Sequence, residues 1–160
     1  MKVFIKNKLI SWGGSSHVLD ESGQPVFKVK GKIFTFTKKK KMYDMQDKLL
    51  YTIRNKFWVG FCHKTIVIDA EGNKVATVKK GRWSFNNDYK ILDTENEMSI
   101  DGKFFSLSSH IMKNGQPVAT ITRDFSLIRD SFTLEAEEDI EFYTALVIAL
   151  DNIKDKEEKD

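Results

Sequence analysis

Four segments of this chain share an alternation that only an extended strand can use. They read GQPVFKVK from Gly23, DKLLYTIR from Asp47, GNKVATVK from Gly72 and GQPVATIT from Gly115. The fifth place is Phe27, Tyr51, Ala76 or Ala119, and the seventh is Val29, Ile53, Val78 or Ile121. Between them the sixth place is polar in every copy: Lys28, Thr52, Thr77, Thr120. A side-chain period of two places the fifth and seventh positions on one buried face and the sixth on the other. The fourth place is aliphatic each time (Val26, Leu50, Val75, Val118). Parity puts it on the outer face, so it reads as a cap on the strand's start.

A turn precedes each strand. Asp20-Glu21-Ser22-Gly23, Asp69-Ala70-Glu71-Gly72 and Lys113-Asn114-Gly115 each supply a glycine that can take positive φ, and Tyr43 to Asp47 uses Asp instead. Upstream of the turns lie further β-type runs: His17-Val18-Leu19, Lys40 to Tyr43, Thr65 to Ile68 and Ser109 to Met112. Each unit therefore reads as a β-hairpin. Both prolines of the chain, Pro25 and Pro117, fall at the first residue of a second strand, where a missing N–H is best tolerated. The repeats start 24, 25 and 43 residues apart, and the long gap points to a degenerate copy near Thr94 with Met98 and Ile100 facing inward. Short strands at regular spacing predict a mainly β fold, a closed antiparallel barrel of about twelve strands.

One segment breaks the alternation. Glu137, Glu138, Asp139 and Glu141 open a stretch that ends at Ile153, with Lys154 and Lys156 beyond it, a charge order that suits a helix macrodipole. From Phe142 to Leu150 only Thr144 is not apolar. A helix apolar all round must be buried on every side, and a small β protein offers one such place, the barrel interior. Nine residues span about 13 Å, too short to cross a bilayer, which argues against the rival reading of a membrane-inserting tail.

Hairpins wrapped around a hydrophobic C-terminal helix resemble the tubby C-terminal-like fold. More narrowly, the chain resembles the LURP-one-related family, with phospholipid scramblases as more distant relatives. The similarity is clearest from Asn114 to Ile153, in NGQPVATITRDFSLIRDSFTLEAEEDIEFYTALVIALDNI, and recurs in DESGQPVFKVKGKIFTF and IDAEGNKVATVKKGRWSF. It implies the barrel with its central helix, and no shared catalytic residues. Two departures stand out: Ala136-Glu137-Glu138 replaces the Gly- or Pro-containing link often found before the helix, and Thr37 to Lys41 is unusually lysine-dense. Tubby proteins are associated with phosphoinositide headgroups, but no headgroup motif matches here residue by residue, so that role is not carried over.

At 160 residues the chain fits a single domain, expected over 1–153 with a charged tail at 154–160. One cysteine, Cys62, excludes an internal disulfide and suggests a reducing compartment, and lysines interrupt every apolar run of the first twelve residues as no signal peptide would. The expected location is cytoplasmic. The net charge of +3 hides an asymmetry: residues 1–90 carry 19 Lys/Arg against 7 Asp/Glu, and residues 91–160 carry 7 against 16. Two readings stay open, an anion-binding face or two halves that neutralise each other.

Convergent polar groups for catalysis are missing from the sequence. His17, His63 and His110 lie on separate expected strands without metal-ligand spacing. Cys62 and His63 are adjacent and would point to opposite faces, and Trp12-Gly13-Gly14-Ser15-Ser16 lacks the lysine and helix of a phosphate loop. The expectation is a non-enzymatic binding or scaffold protein with no catalytic residues, metal or cofactor, and a monomer. A small hydrolase with an unrecognised site is the alternative. The repeat sets Lys28, Lys30, Arg54 and Lys79 on the outer face, with Lys38, Lys39, Lys40, Lys41, Lys80 and Arg82 on neighbouring connections and Trp58 and Trp83 beside them. Such a stripe suits reversible, peripheral docking on anionic phospholipid headgroups. The other reading is a solvated face that keeps the protein soluble. Nucleic acid is a weaker fit, because no nucleic-acid module accompanies the lysines.

Overall fold

The computed structural model describes residues 1–6, 14–31, 38–56, 64–80, 89–101, 107–126 and 129–157. The strands are β1 (Lys2–Lys6), β2 (Ser15–Asp20), β3 (Pro25–Gly31), β4 (Lys40–Tyr43), β5 (Leu49–Asn55) and β6 (Lys64–Asp69). They continue as β7 (Lys74–Lys80), β8 (Tyr89–Leu92), β9 (Met98–Asp101), β10 (Ser108–Lys113), β11 (Gln116–Ser126) and β12 (Arg129–Ala136), followed by α1 (Ile140–Glu157). Each strand pairs antiparallel with its sequence neighbours, and β1 joins both β2 and β12, so the sheet closes into a barrel. Closure leaves none of the twelve described strands at an edge for a second chain to extend. The seam between β8 and β9 is thin, with only Lys90 opposite Ser99 among the described residues.

The repeated hairpins carry a detail that parity alone does not give. In β2–β3, Val18 lies opposite Phe27 but Leu19 opposite Pro25, leaving Val26 as an extra residue. The same slip recurs in β4–β5 at Leu50, in β6–β7 at Val75 and in β10–β11 at Val118. Each fourth-place aliphatic is thus the additional residue of a β-bulge. The bulge breaks the period of two, and all four side chains turn toward the core instead of standing outside. The turns repeat as closely. Asp20, Asp44 and Asp69 each accept a backbone N–H four residues on (Gln24 at 2.9 Å, Lys48 at 2.8 Å, Asn73 at 2.7 Å). The residue before that donor has positive φ, +79° at Gly23, +62° at Asp47 and +92° at Gly72.

The helix enters the barrel after the turn at 137–139 and leans on β5, β6, β7 and β12. Every residue from Tyr143 to Ile153 is buried, on all sides of the helix. Leu146, Ile148 and Leu150 have no exposed surface, and each such side chain withdrawn from water contributes about 1.5–3 kcal/mol. The lone polar group of the apolar stretch is satisfied internally: Thr144 Oγ1 donates to the Ile140 carbonyl at 2.7 Å. The strands answer with an inward layer that includes Val3, Val29, Ile53, Val67, Ile111, Ile121, Phe132 and Leu134. Met98 and Ile100 of the degenerate copy also contribute to this core. No helix among the described residues is long and apolar enough to cross a membrane.

Candidate functional site: a lysine ladder on the outer face

Register decides which cations share a surface. Asn55 lies opposite Thr65, and one position further the Lys56 N–H donates to the Lys64 carbonyl at 2.9 Å. Lys64 lies opposite Lys79, and Lys79 opposite Lys90. Their inward-facing neighbours fix the side: Thr65, Val78 and Ile91 are buried, so the four lysines stand on the outer face of β5 to β8. Directly opposed residues on adjacent strands have Cβ atoms about 4.5–5.5 Å apart. Four like charges in one rung across the sheet repel one another. Among the described residues, no carboxylate lies within ion-pair distance of any of the four. Arg54, two residues before Lys56, extends this patch along β5.

A second outward pair stands on the neighbouring strands. Lys30 of β3 is opposite Lys41 of β4. Lys30 packs over the Tyr43 ring, its Nζ 5.0 Å from the centroid. Lys28 faces outward too but is neutralised: its Nζ is 2.7 Å from Asp47 Oδ1, and Lys30 Nζ is 3.6 Å from the same oxygen. The Lys28 hydrogen bond and charge, aided by Lys30, hold the Asp47 carboxyl below the ordinary carboxylate range.

Two of the expected surface cations stand at inward register positions, Lys40 buried and Lys80 half-buried. Lys40 is opposite Gly31 and Ile53 on the inner face of β4, beside buried Met42. Its Nζ lies 3.5 Å from Asp151 Oδ2 of the helix, with side chains only 5% and 2% exposed. Strand β4 spans the β-type run Lys40 to Tyr43, and alternation within it sends Lys40 in and Lys41 out, whereas the expected stripe set both on a connection. Lys80 is corrected for the same reason. Strand β7 extends to it, Val78 two residues earlier is fully buried, and its partner is the buried Tyr89. Lys39 is exposed. Lys38 is half-buried with φ of +42°, and its carbonyl accepts from Asn152 Nδ2 at 3.2 Å. Arg82, Trp58, Trp83, Cys62 and His63 lie outside the described residues.

Sequence reasoning missed Lys56, Lys64 and Lys90. The hairpin turn at Asp69–Asn73 and the bulge at Val75 together place Lys64 against Lys79, a signal that needs the register rather than the repeat. The two histidines among the described residues do not converge: His17 lies opposite Lys28 on the outer face, and His110 Nδ1 is 3.2 Å from Thr120 Oγ1 on another part of the sheet. No cluster of three metal-ligating side chains occurs among the described residues.

Known proteins share this architecture and sequence pattern. The chain is 26% identical over 155 residues to the uncharacterized protein YxjI of Bacillus subtilis (strain 168), covering 96% of this chain and 93% of that one. The X-ray structure of a protein from Arabidopsis thaliana, AT5G01750, superposes with a TM-score of 0.64 at 18% identity, over 96% of this chain and 91% of that one. At that identity the likeness speaks for the fold. The model of the LURP-one-related family matches residues 1–151, all twelve strands of the barrel and most of its helix. The chain belongs to the LURP-one-related family.

Proposed function

We propose that this barrel is a non-enzymatic binding protein that docks reversibly on anionic phospholipid headgroups through the outer face of β5 to β8. The observation that supports this reading is the ladder Lys56, Lys64, Lys79 and Lys90. Opposed like charges destabilise a sheet, and an anionic surface laid across them would relieve that repulsion. Their spacing falls well inside the Debye length of about 8 Å at physiological salt, so their fields add. Each lysine near an anionic leaflet contributes about 1 kcal/mol, so four give about a thousandfold preference for charged over neutral membrane. Arg54, Lys41 and Lys30 widen the same face.

Co-sedimentation with vesicles of phosphatidylcholine alone, or with added phosphatidylserine, tests this across a salt series. The protein should pellet with the anionic vesicles at low salt, release as salt rises, and ignore the neutral ones. Lys64→Glu/Lys79→Glu should abolish binding while Lys2→Glu, on the far strand β1, should not. Failure to bind anionic vesicles even at low salt ends the lipid reading, and retention of a single-stranded oligonucleotide instead would transfer the same face to nucleic acid.

A further inference from the structure

The mouth of the barrel where the helix enters holds a cavity of about 470 Å³ that is chemically unlike the lysine face. Because the helix leans toward β5, β6 and β7, space remains between its first turn and the β8–β9 connection. Three aromatic rings line it. Tyr51 and Phe142 have centroids 6.1 Å apart at 51°, and Phe142 and Tyr143 are 5.9 Å apart at 50°. Ring pairs at these separations and tilts are in favourable aromatic contact, so the three residues form one aromatic cluster beside the cavity. Three carboxylates, Asp93, Glu95 and Asp139, share the lining with two lysines. Two ion pairs balance both lysines against two of the carboxylates, leaving Glu95 in excess: Lys74 Nζ is 3.0 Å from Asp93 Oδ2, and Lys113 Nζ is 3.9 Å from Asp139 Oδ2.

The surrounding field is negative. The Tyr51 hydroxyl is pushed above its ordinary range by burial and then by the carboxylates of Glu141, Asp139, Asp69 and Glu71. Burial raises Tyr143 likewise, followed by Asp139 and Glu138. The amino end of the helix by itself would favour an anion. Here the carboxylates around the mouth outnumber the lysines, so charge complementarity favours a cation. Aromatic faces add a specific attraction for an alkylammonium group, which is apolar enough to leave water readily.

We infer that this mouth is a binding site for a small organic cation with a compact alkylammonium head, held between the Tyr51, Phe142 and Tyr143 rings and the Asp93, Glu95 and Asp139 carboxylates. The volume falls in the range of small-molecule pockets, about 300–1,000 Å³. The site is independent of the lysine face, and its ligand has the opposite charge, so either reading can fail while the other stands.

Titration of the ¹⁵N-labelled full chain with choline chloride, followed by amide chemical shifts, tests the inference. Saturable shifts should appear at Tyr51, Asp93 to Asn96, Phe142 and Tyr143. The uncharged isostere 3,3-dimethylbutanol should bind at least about tenfold more weakly, since it keeps the shape and lacks the charge. Tyr51→Leu should weaken choline about tenfold, and the exposed Glu95→Gln, which cannot disturb the core, by a smaller factor in the same direction. Monomeric dihexanoyl-phosphatidylcholine identifies the source: binding at the same amides admits a lipid headgroup, and exclusion leaves the free cation, either of which sustains an alkylammonium site. Equal binding of the isostere, shifts with inorganic phosphate in place of choline, or no saturation by about 20 mM would each overturn it.

Discussion

Lys40 and Lys41 are neighbours in the chain and face opposite sides of one strand, so replacing each in turn by methionine tests the interior directly. The Lys40 ammonium sits 3.5 Å from an Asp151 oxygen, with the two side chains 5% and 2% exposed. Unit charges at that separation attract by about 5 kcal/mol at an effective dielectric of about 20, most of it offset by the desolvation of both ions. Removing one partner forfeits the attraction and keeps the other's desolvation, a loss of about 3–5 kcal/mol. Asp151 has a further interaction in the fold, so the lower figure applies and Lys40→Met should cost about 3 kcal/mol. For a chain of 160 residues this lowers Tm by about 6–12 °C. Lys41→Met, on the outer face, should stay within about 0.5 kcal/mol of the parent. The double variant Lys40→Met/Asp151→Leu should recover most of the loss, because an apolar pair avoids burying either charge. Urea unfolding followed by far-UV circular dichroism measures all three. Equal losses for Lys40→Met and Lys41→Met would refute the inward placement, and with it the helix register that brings Asp151 alongside.

Other perturbations follow from the same geometry. Leu146→Ala should cost about 3 kcal/mol or more in the same assay, since the side chain is fully buried in the helix, while Leu107→Ala, 71% exposed, should cost less than about 0.5 kcal/mol. Gly72→Ala should cost about 1–2 kcal/mol through the backbone alone: φ is +92°, and an added Cβ would meet nothing within 4 Å. Stability should fall in acid. The carboxyls of Asp20 (hydrogen-bonded by Ser22), Asp47 (by Lys28) and Asp93 (by Thr77) are all held below their ordinary value. Groups depressed in the folded state contribute stability above the unfolded pKa, about 3.9, and lose it as pH drops through the lower folded value. Thermal melts should therefore be flat from neutrality to about pH 5 and decline below about pH 4, with a shallower decline in Asp47→Asn.

The hairpins and the internal helix were legible because each leaves a local pattern in the sequence, a period of two for the strands and an apolar surface on every side for the helix. Alternation around Phe27, Ile53, Val78 and Ile121 marks a sheet with one buried face, and the stretch from Phe142 to Leu150, apolar but for Thr144, leaves no surface for solvent. The bulges were not legible in the same way. Val26, Leu50, Val75 and Val118 break parity, and an apolar residue on an outer position has the same appearance as a bulged one until the partner strand is known. The site suffered from both limits. Lys40 and Lys80 were misplaced because the stripe counted them as connection residues, whereas Lys40 opens the β-type run of β4 and Lys80 ends β7, where parity still applies. Lys56, Lys64 and Lys90 were overlooked because a ladder is a relation between strands, and a repeat aligned along the chain does not display it. The cavity at the helix entrance draws residues from β5, β7, β10, α1 and the β8–β9 connection, and no local pattern announces such a meeting.

The order of elements has a consequence for how the protein is made. The barrel closes by pairing β1 with β12, and its interior is filled by the helix that follows β12. A ribosome delivers β1 first and α1 after every strand, so the emerging strands have neither their closing partner nor the core they surround. Hairpins can form as they appear, because their contacts are local. The shell cannot seal until residues 140–153 have cleared the exit tunnel, and until then the apolar inner faces of eleven preceding hairpin junctions stay open to other chains. Completion of the barrel thus waits for the helix, and a nascent chain arrested before Ile140 should be a substrate for chaperones and proteases, with its sheet formed and its centre empty.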